Sequence, residues 1–172
     1  MGTTGTDHSG EGILSEELTS KREEIVELLK KAYFMELETV INYVTNSTNP
    51  DGVRAQQVKE SLIPDIQEEL GHAQNFAARI KELYGTVPGS MEFVAEQSFL
   101  QPAENQVDIV HVIKGVIAAE RGAIEHYTHL IEVTEGVDQV TQDMAIEILR
   151  DEQGHMRLFE GFLKEYAAEG KA

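Results

Sequence analysis

Two short stretches carry residues that could do chemistry together. In Glu68-Glu-Leu-Gly-His72 and in Asp151-Glu-Gln-Gly-His155, a glutamate precedes a histidine by three residues. At helical spacing Glu69 and His72 leave one face, and so do Glu152 and His155. Those faces are otherwise apolar, with Leu62, Ile66, Phe76 and Ile80 around the first pair and Ile148, Leu149 and Phe159 around the second. A carboxylate and an imidazole pointed into an apolar interior lose hydration and persist there only when paired, hydrogen-bonded or bound to metal.

Two more glutamates complete a repeat. Glu36 is followed by Tyr43 and Glu120 by Tyr127, each seven residues later and so two turns along one helix face. Glu36 and Glu69 stand 33 positions apart, Glu120 and Glu152 stand 32. The chain therefore reads as two helical hairpins, each with a lone Glu on its first helix and a Glu-x-x-His on its second. Packed about a common axis, they would bring four carboxylates and two imidazoles together. Without metal such carboxylates repel and most must take up protons; two divalent ions would neutralise them. Hard oxygen ligands with one imidazole per ion suit iron, with manganese the alternative, and leave open coordination positions.

Position suggests roles. Glu69 and Glu152 are expected to bridge two ions, Glu36 and Glu120 to be terminal ligands, and His72 and His155 to give one imidazole each. Glu68 and Asp151, four residues before the histidines, either accept the second ring N–H from the opposite helix or are solvated acids. Tyr43, the candidate catalytic residue, and Tyr127 either bond the terminal carboxylates and lend an electron or are core tyrosines. Glu38 lies on the wrong side of its helix to share the Glu36 site. Glu125, His126, His129 and Glu132 lie largely off the Glu120 face, where a solvated surface is expected. His8 and His111 stand alone.

These residues need four long helices, and the apolar periodicity supplies them. The first begins near Ser15 and ends at Thr45-Asn-Ser-Thr-Asn-Pro-Asp-Gly52. The second runs from about Val58 to Leu83, with Pro64 expected to kink or restart it. Residues 85 to 105 form a long crossover with a short helix expected near Met91 to Gln97. The third helix carries Ile109 to Ile131 and closes at Gly136, and the fourth runs from about Asp138 to Ala167. The expected fold is an all-α four-helix bundle over 15–168, preceded by a disordered polar tail over 1–14.

The 172 residues correspond to one domain. A net charge of −17 argues against nucleic acid or anionic membrane as partner. Cysteine is absent, so there is no disulfide framework and no thiolate metal site. The N-terminus lacks an apolar signal core, and a cytoplasmic protein is expected.

At the same residues the chain resembles the bacterioferritins of the ferritin-like superfamily over about 20 to 165. Glu36-Leu-Glu-Thr-Val-Ile-Asn-Tyr43 is similar to that family's first-helix motif, Asp65-Ile-Gln-Glu-Glu-Leu-Gly-His-Ala73 to its second, and Met144-Ala-Ile-Glu-Ile-Leu-Arg-Asp-Glu-Gln-Gly-His155 to its fourth. The resemblance implies ferroxidase ligands at Glu36, Glu69, His72, Glu120, Glu152 and His155, with Tyr43 at the family's tyrosine position. It implies oxidation of Fe(II) by O2 or H2O2 and storage of ferric mineral in a hollow homo-oligomer. A rubrerythrin-like peroxidase or di-metal oxygenase acting on a diffusible substrate is the alternative. Three positions depart from the pattern. Leu70 replaces the haem-ligating Met, so haem is not expected. Pro64 replaces a His of an inner-surface iron site. Only 17 residues follow His155, too few for a fifth helix, so the assembly is left as a dimer, a 12-mer or a 24-mer.

Overall fold

The computed structural model describes residues 12–170 and consists, among these, of helices and turns. Four long helices dominate: α1 (Thr19–Thr48), α2 (Ala55–Glu82), α3 (Ile109–Thr134) and α4 (Gln139–Ala168). α1 packs chiefly on α2 and α3 chiefly on α4, two hairpins joined by a long crossover, as the periodicity predicts. No described helix is long and apolar enough to cross a membrane.

Local chemistry sets the helix ends. Asp108 and Asp138 cap α3 and α4, their carboxylates accepting the backbone N–H of His111 and Thr141. Between α3 and α4, Gly136 adopts φ +70°, which an L side chain rarely tolerates. Pro64 leaves α2 unbroken. It sits on the exposed side, where water can satisfy the carbonyl that loses its donor, while Leu62 and Asp65 on the other side are buried.

The crossover differs from expectation. In place of a helix at Met91–Gln97 there are two 3-10 turns, Ser90–Glu92 and Ser98–Leu100, with extended chain between them. The reason lies on α1, where the buried Glu38 carboxylate accepts backbone N–H groups of Glu96 (2.9 Å) and Gln97 (2.8 Å). Gln97 in turn bonds Thr39 and Asn42. These bonds take up donors that a local helix would have used. On the α3 side the crossover lies so close that a Cβ on Gly115 would come within 2.8 Å of the Phe99 carbonyl.

Of the expected tail 1–14, residues 1–11, His8 among them, lie outside the described residues. Gly12–Leu14 form a 3-10 turn that buries Ile13 in the core, and a second turn, Glu16–Leu18, leads into α1. His126, expected on a solvated face, is buried, its Nε2 2.9 Å from the Leu28 carbonyl of α1. Glu125, His129 and Glu132 are exposed. His111 Nε2 meets the Gln101 carbonyl at 2.8 Å.

The apolar interior falls into two clusters. One holds Ile25, Leu29, Phe76, Tyr127, Leu130 and Ile148; the other holds Tyr43, Leu62, Ile113, Val116 and Phe159. The first also meets a buried ion pair, Arg79 Nη2 to Asp138 Oδ1 at 2.7 Å, with Arg79 Nε donating to Thr141 at 2.8 Å. Removing one partner of such a pair strands the other in a desolvated site. Asp138→Ala is expected to lower the unfolding free energy by about 3 kcal/mol, read from the shift of a urea unfolding midpoint; an unshifted midpoint would contradict this role for the pair.

Candidate metal centre

Between the two apolar clusters every long helix turns polar residues inward. α1 contributes Glu36, α2 Glu69 and His72, α3 Glu120, and α4 Glu152 and His155, and all six are buried. Each position follows from the helical repeat. Glu36 lies four residues past buried Ala32, and Glu120 lies between buried Val116 and Ala123, so the carboxylates continue the apolar stripe inward.

Their ligating atoms form two overlapping groups. Glu36, Glu69, His72 and Glu152 place one atom each within 4.8 Å of one another, and Glu69, Glu120, Glu152 and His155 do the same. Glu69 and Glu152 belong to both groups, the position expected of bridging carboxylates. Both histidines turn Nδ1 inward. His72 Nδ1 lies 3.2 Å from Glu69, 3.2 Å from Glu152 and 3.8 Å from Glu36. His155 Nδ1 lies 3.4 Å from Glu69 and 3.8 Å from both Glu120 and Glu152.

The outer ring nitrogens cross between the hairpins. His72 Nε2 on α2 faces Asp151 of α4 at 3.5 Å, and His155 Nε2 on α4 faces Glu68 of α2 at 3.3 Å. The two acids are therefore partners of the histidines, fixing which nitrogen points inward. The tyrosines cross likewise: Tyr43 of α1 donates to Glu120 of α3, and Tyr127 of α3 donates to Glu36 of α1. Burial, reinforced by the neighbouring carboxylates, raises both phenols well above their usual range, so they remain donors.

Asp65 joins this group without having been singled out from sequence. It is buried, with Oδ1 3.8 Å from His155 Nε2, and burial foremost raises its carboxyl to about 6. Its spacing, four residues before Glu69 and seven before His72, was the available signal. Glu38 is buried too but serves the crossover, in keeping with its exclusion from the site.

Charge defines what the arrangement can do. Burial, then the neighbouring carboxylates, pushes Glu36 and Glu120 well above the usual carboxylate range. Burial opposes charge on the imidazoles, yet the close carboxylates of Glu152 and Glu69 raise His72 to about 10 and His155 to about 12. Burial also opposes charge on Glu152, but the facing imidazoles of His155 and His72 hold it at about 2. Protons thus neutralise the metal-free layer imperfectly: Glu69 Oε1, Glu152 Oε1 and His155 Nδ1 are buried without a hydrogen bond. Those atoms belong to the two groups just described, and a pair of divalent ions fits them in charge and donor type.

Because ions must displace protons from Glu36, Glu120, His72 and His155, affinity rises with pH and falls on acidification. Loading the protein with Zn(II) near pH 7 is expected to release protons, measured with an indicator dye or from the buffer dependence of the binding heat. Binding that is indifferent to pH between 6 and 8, a window below the values of His72 and His155 in the metal-free protein, where both hold protons that an ion must displace, would contradict the scheme.

The chain and its fold have known counterparts. A protein of Pyrococcus furiosus called "DNA protection during starvation protein" is 30% identical over 143 residues, covering 82% of this chain and 77% of that one. A bacterioferritin of Desulfovibrio desulfuricans is 28% identical over 143 residues, covering 81% and 74%. Among solved structures, the dodecameric thioferritin of Bacteroides fragilis superposes with a TM-score of 0.75 at 23% identity, over 91% of this chain and 97% of that one. The family described as "Ferritin-like domain" matches residues 26–168, and the chain belongs to it.

Proposed function

We propose that this chain is a ferroxidase: it takes up Fe(II), oxidises it with O2 or H2O2, and stores or detoxifies the product. Glu36, Glu69, His72 and Glu152 hold one ion and Glu69, Glu120, Glu152 and His155 the other, with Glu69 and Glu152 shared. The observation that carries this reading is the pair of buried ligand groups meeting at two common carboxylates. Iron supplies the reaction's electrons, one from each ion.

The protein's own part is electrostatic and positional. Four carboxylates balance two divalent charges, and tighten further on trivalent iron, which favours the oxidised state. Tyr43 and Tyr127 fix the terminal carboxylates, and Glu68 and Asp151 hold the histidines with Nδ1 inward. The apolar clusters on either side limit water at the centre. Tyr43, bonded to Glu120, is placed to lend an electron during the oxidation. Haem has no part, since Leu70 offers no ligand atom.

The relative named for DNA protection suggests a protective role here as well. With a net charge of −17, contact with DNA is disfavoured, so protection would be chemical, through removal of Fe(II) and peroxide. A homo-oligomer is part of the reading: Ile41 and Val44 on α1 and Ile63 on α2 expose apolar surface (57%, 47% and 56%) that neighbouring subunits would cover.

Apo protein given Fe(II) in air or with peroxide is expected to develop ferric absorbance in a fast phase that Glu69→Ala and His155→Ala abolish. Tyr43→Phe, which removes a hydrogen bond to a charged group, should slow it about tenfold. Equal rates in all four proteins would sink the proposal. Light scattering should give a mass of twelve or more chains of 19.1 kDa for a storage cage; a dimer would favour the peroxidase or oxygenase alternative. The protein should also shield plasmid DNA from iron and peroxide cleavage without retarding it on a gel, and retardation would refute the purely chemical role.

A further inference from the structure

The register that pairs Glu36 with Glu120 and Tyr43 with Tyr127 also pairs their neighbours on the side facing the crossover, and there the hairpins differ. Where α1 carries Met35, Glu38 and Asn42, α3 carries Ala119, Gly122 and His126. The smaller side chains leave space that the crossover does not fill. Among the described residues, a cavity of about 390 Å³ lies over the seam of α1 and α3, with Met35, Ala119 and Gly122 against Phe99 of the crossover. Its walls are fixed in advance. The crossover is held to α1 through Glu38, Thr39 and Asn42, and at Gly115 it lies too close to α3 for a Cβ. A preformed, partly apolar hollow of this size suits a small ligand.

His126 gives the hollow its chemistry. Its Nε2 lies 2.9 Å from the Leu28 carbonyl, which can only accept, so the ring proton sits there and Nδ1 keeps a lone pair. Nδ1 makes no hydrogen bond among the described residues and stays accessible at the cavity wall. Burial, with Lys31 nearby, lowers the imidazole below its usual range and favours its neutral form. The same ring meets Tyr127 edge-on, 5.8 Å between centroids, and the Tyr127 hydroxyl donates to Glu36 at the metal centre. One imidazole thus touches the hollow on one side and the centre's own tyrosine on the other. Around the cavity Glu38, Glu96 and Glu125 outnumber Lys31, which turns anions away.

We propose that this cavity is the site of a small neutral hydroquinone or related phenolic reductant, its ring against Met35, Phe99 and Ala119 and one hydroxyl donating to His126 Nδ1. The proposal rests on the ferroxidase reading with H2O2 as oxidant, and adds the electron donor that lets the centre turn over. Reducing H2O2 to two waters takes two protons and two electrons, one from each of two Fe(II). The hydroquinone returns both electrons to the two Fe(III) through the contact of His126 with Tyr127, and gives up its two hydroxyl protons, the first to His126 Nδ1. Quinone leaves, and the sum is hydroquinone plus H2O2 to quinone plus two waters. On the α1 side Tyr43 has no such neighbour, because Asn42 is committed to Gln97, so electrons enter on the α3 side.

Hydroquinone binding to the assembled, metal-free full chain, measured by titration calorimetry under nitrogen, tests the site apart from the chemistry. Saturable binding of one molecule per chain is expected, with the dimethyl ether of hydroquinone, which has no hydroxyl to donate, about tenfold weaker. Gly122→Leu should weaken binding about tenfold or more. A Cβ at Gly122 meets nothing within 4 Å, so the longer side chain enters the hollow without displacing the bundle. With Fe(II) loaded and H2O2 supplied, quinone absorbance should appear at a rate that saturates in hydroquinone. Gly122→Leu should raise KM for hydroquinone by the same factor while the fast oxidation of Fe(II) stays as in wild type. Absence of saturable binding, equal binding of the dimethyl ether, or a Gly122→Leu protein that binds and oxidises hydroquinone like wild type overturns the proposal. Failure of the ferroxidase reading gives a different pattern: hydroquinone would bind the metal-free chain while wild type lacked the fast phase with Fe(II).

Discussion

Four glutamates buried in the middle of a helical bundle set the constraint that the rest of this structure answers. Their mutual repulsion and lost hydration cannot be left unbalanced in an apolar interior. The metal-free protein meets the problem with protons: burial favours the protonated form of Glu36 and Glu120, while His72 and His155 are drawn toward their charged form by Glu152 and Glu69. Several inward-facing atoms stay unsatisfied even so. A layer that protons balance so incompletely is well prepared for cations, and this is how a costly arrangement becomes a useful one.

The same layer joins the two halves of the fold. Apolar packing joins α1 to α2, α3 to α4 and, through both core clusters, one hairpin to the other, and polar side chains add further links between the hairpins. The tyrosine bonds to Glu120 and Glu36 link α1 with α3, and the histidines with their outer acids link α2 with α4. The Arg79 and Asp138 pair adds a further link below the centre. Stability and chemistry therefore share residues, since the bonds that hold the ligands also cross between the hairpins.

Much of this was legible before any coordinates. The repeated spacing of Glu36 with Tyr43, Glu69 with His72, Glu120 with Tyr127 and Glu152 with His155 could be read because helical geometry turns spacing into a shared face. Family resemblance rested on those same residues. Other features resisted reading. His126 looked solvated because its partner is a carbonyl of α1 nearly a hundred residues away. The stretch Met91–Gln97 looked helical because nothing local reveals that Glu38 takes its N–H groups. Pro64 looked like a break because its exposed placement depends on how α2 sits against its neighbours.

By itself, then, the sequence determined what each helix can present inward: period, residue type and a duplicated ligand set are local properties of the chain. Tertiary structure decided everything that requires two helices to meet. It turned both Nδ1 atoms toward the common centre, crossed each tyrosine and histidine to the opposite hairpin, and set Asp65 beside His155 while Arg150 went to Asp151. The physical reason is the range of the forces involved. Helix periodicity follows from backbone bonds four residues long, whereas the balance of charge in a buried layer depends on distances between side chains far apart in sequence, and packing alone fixes those.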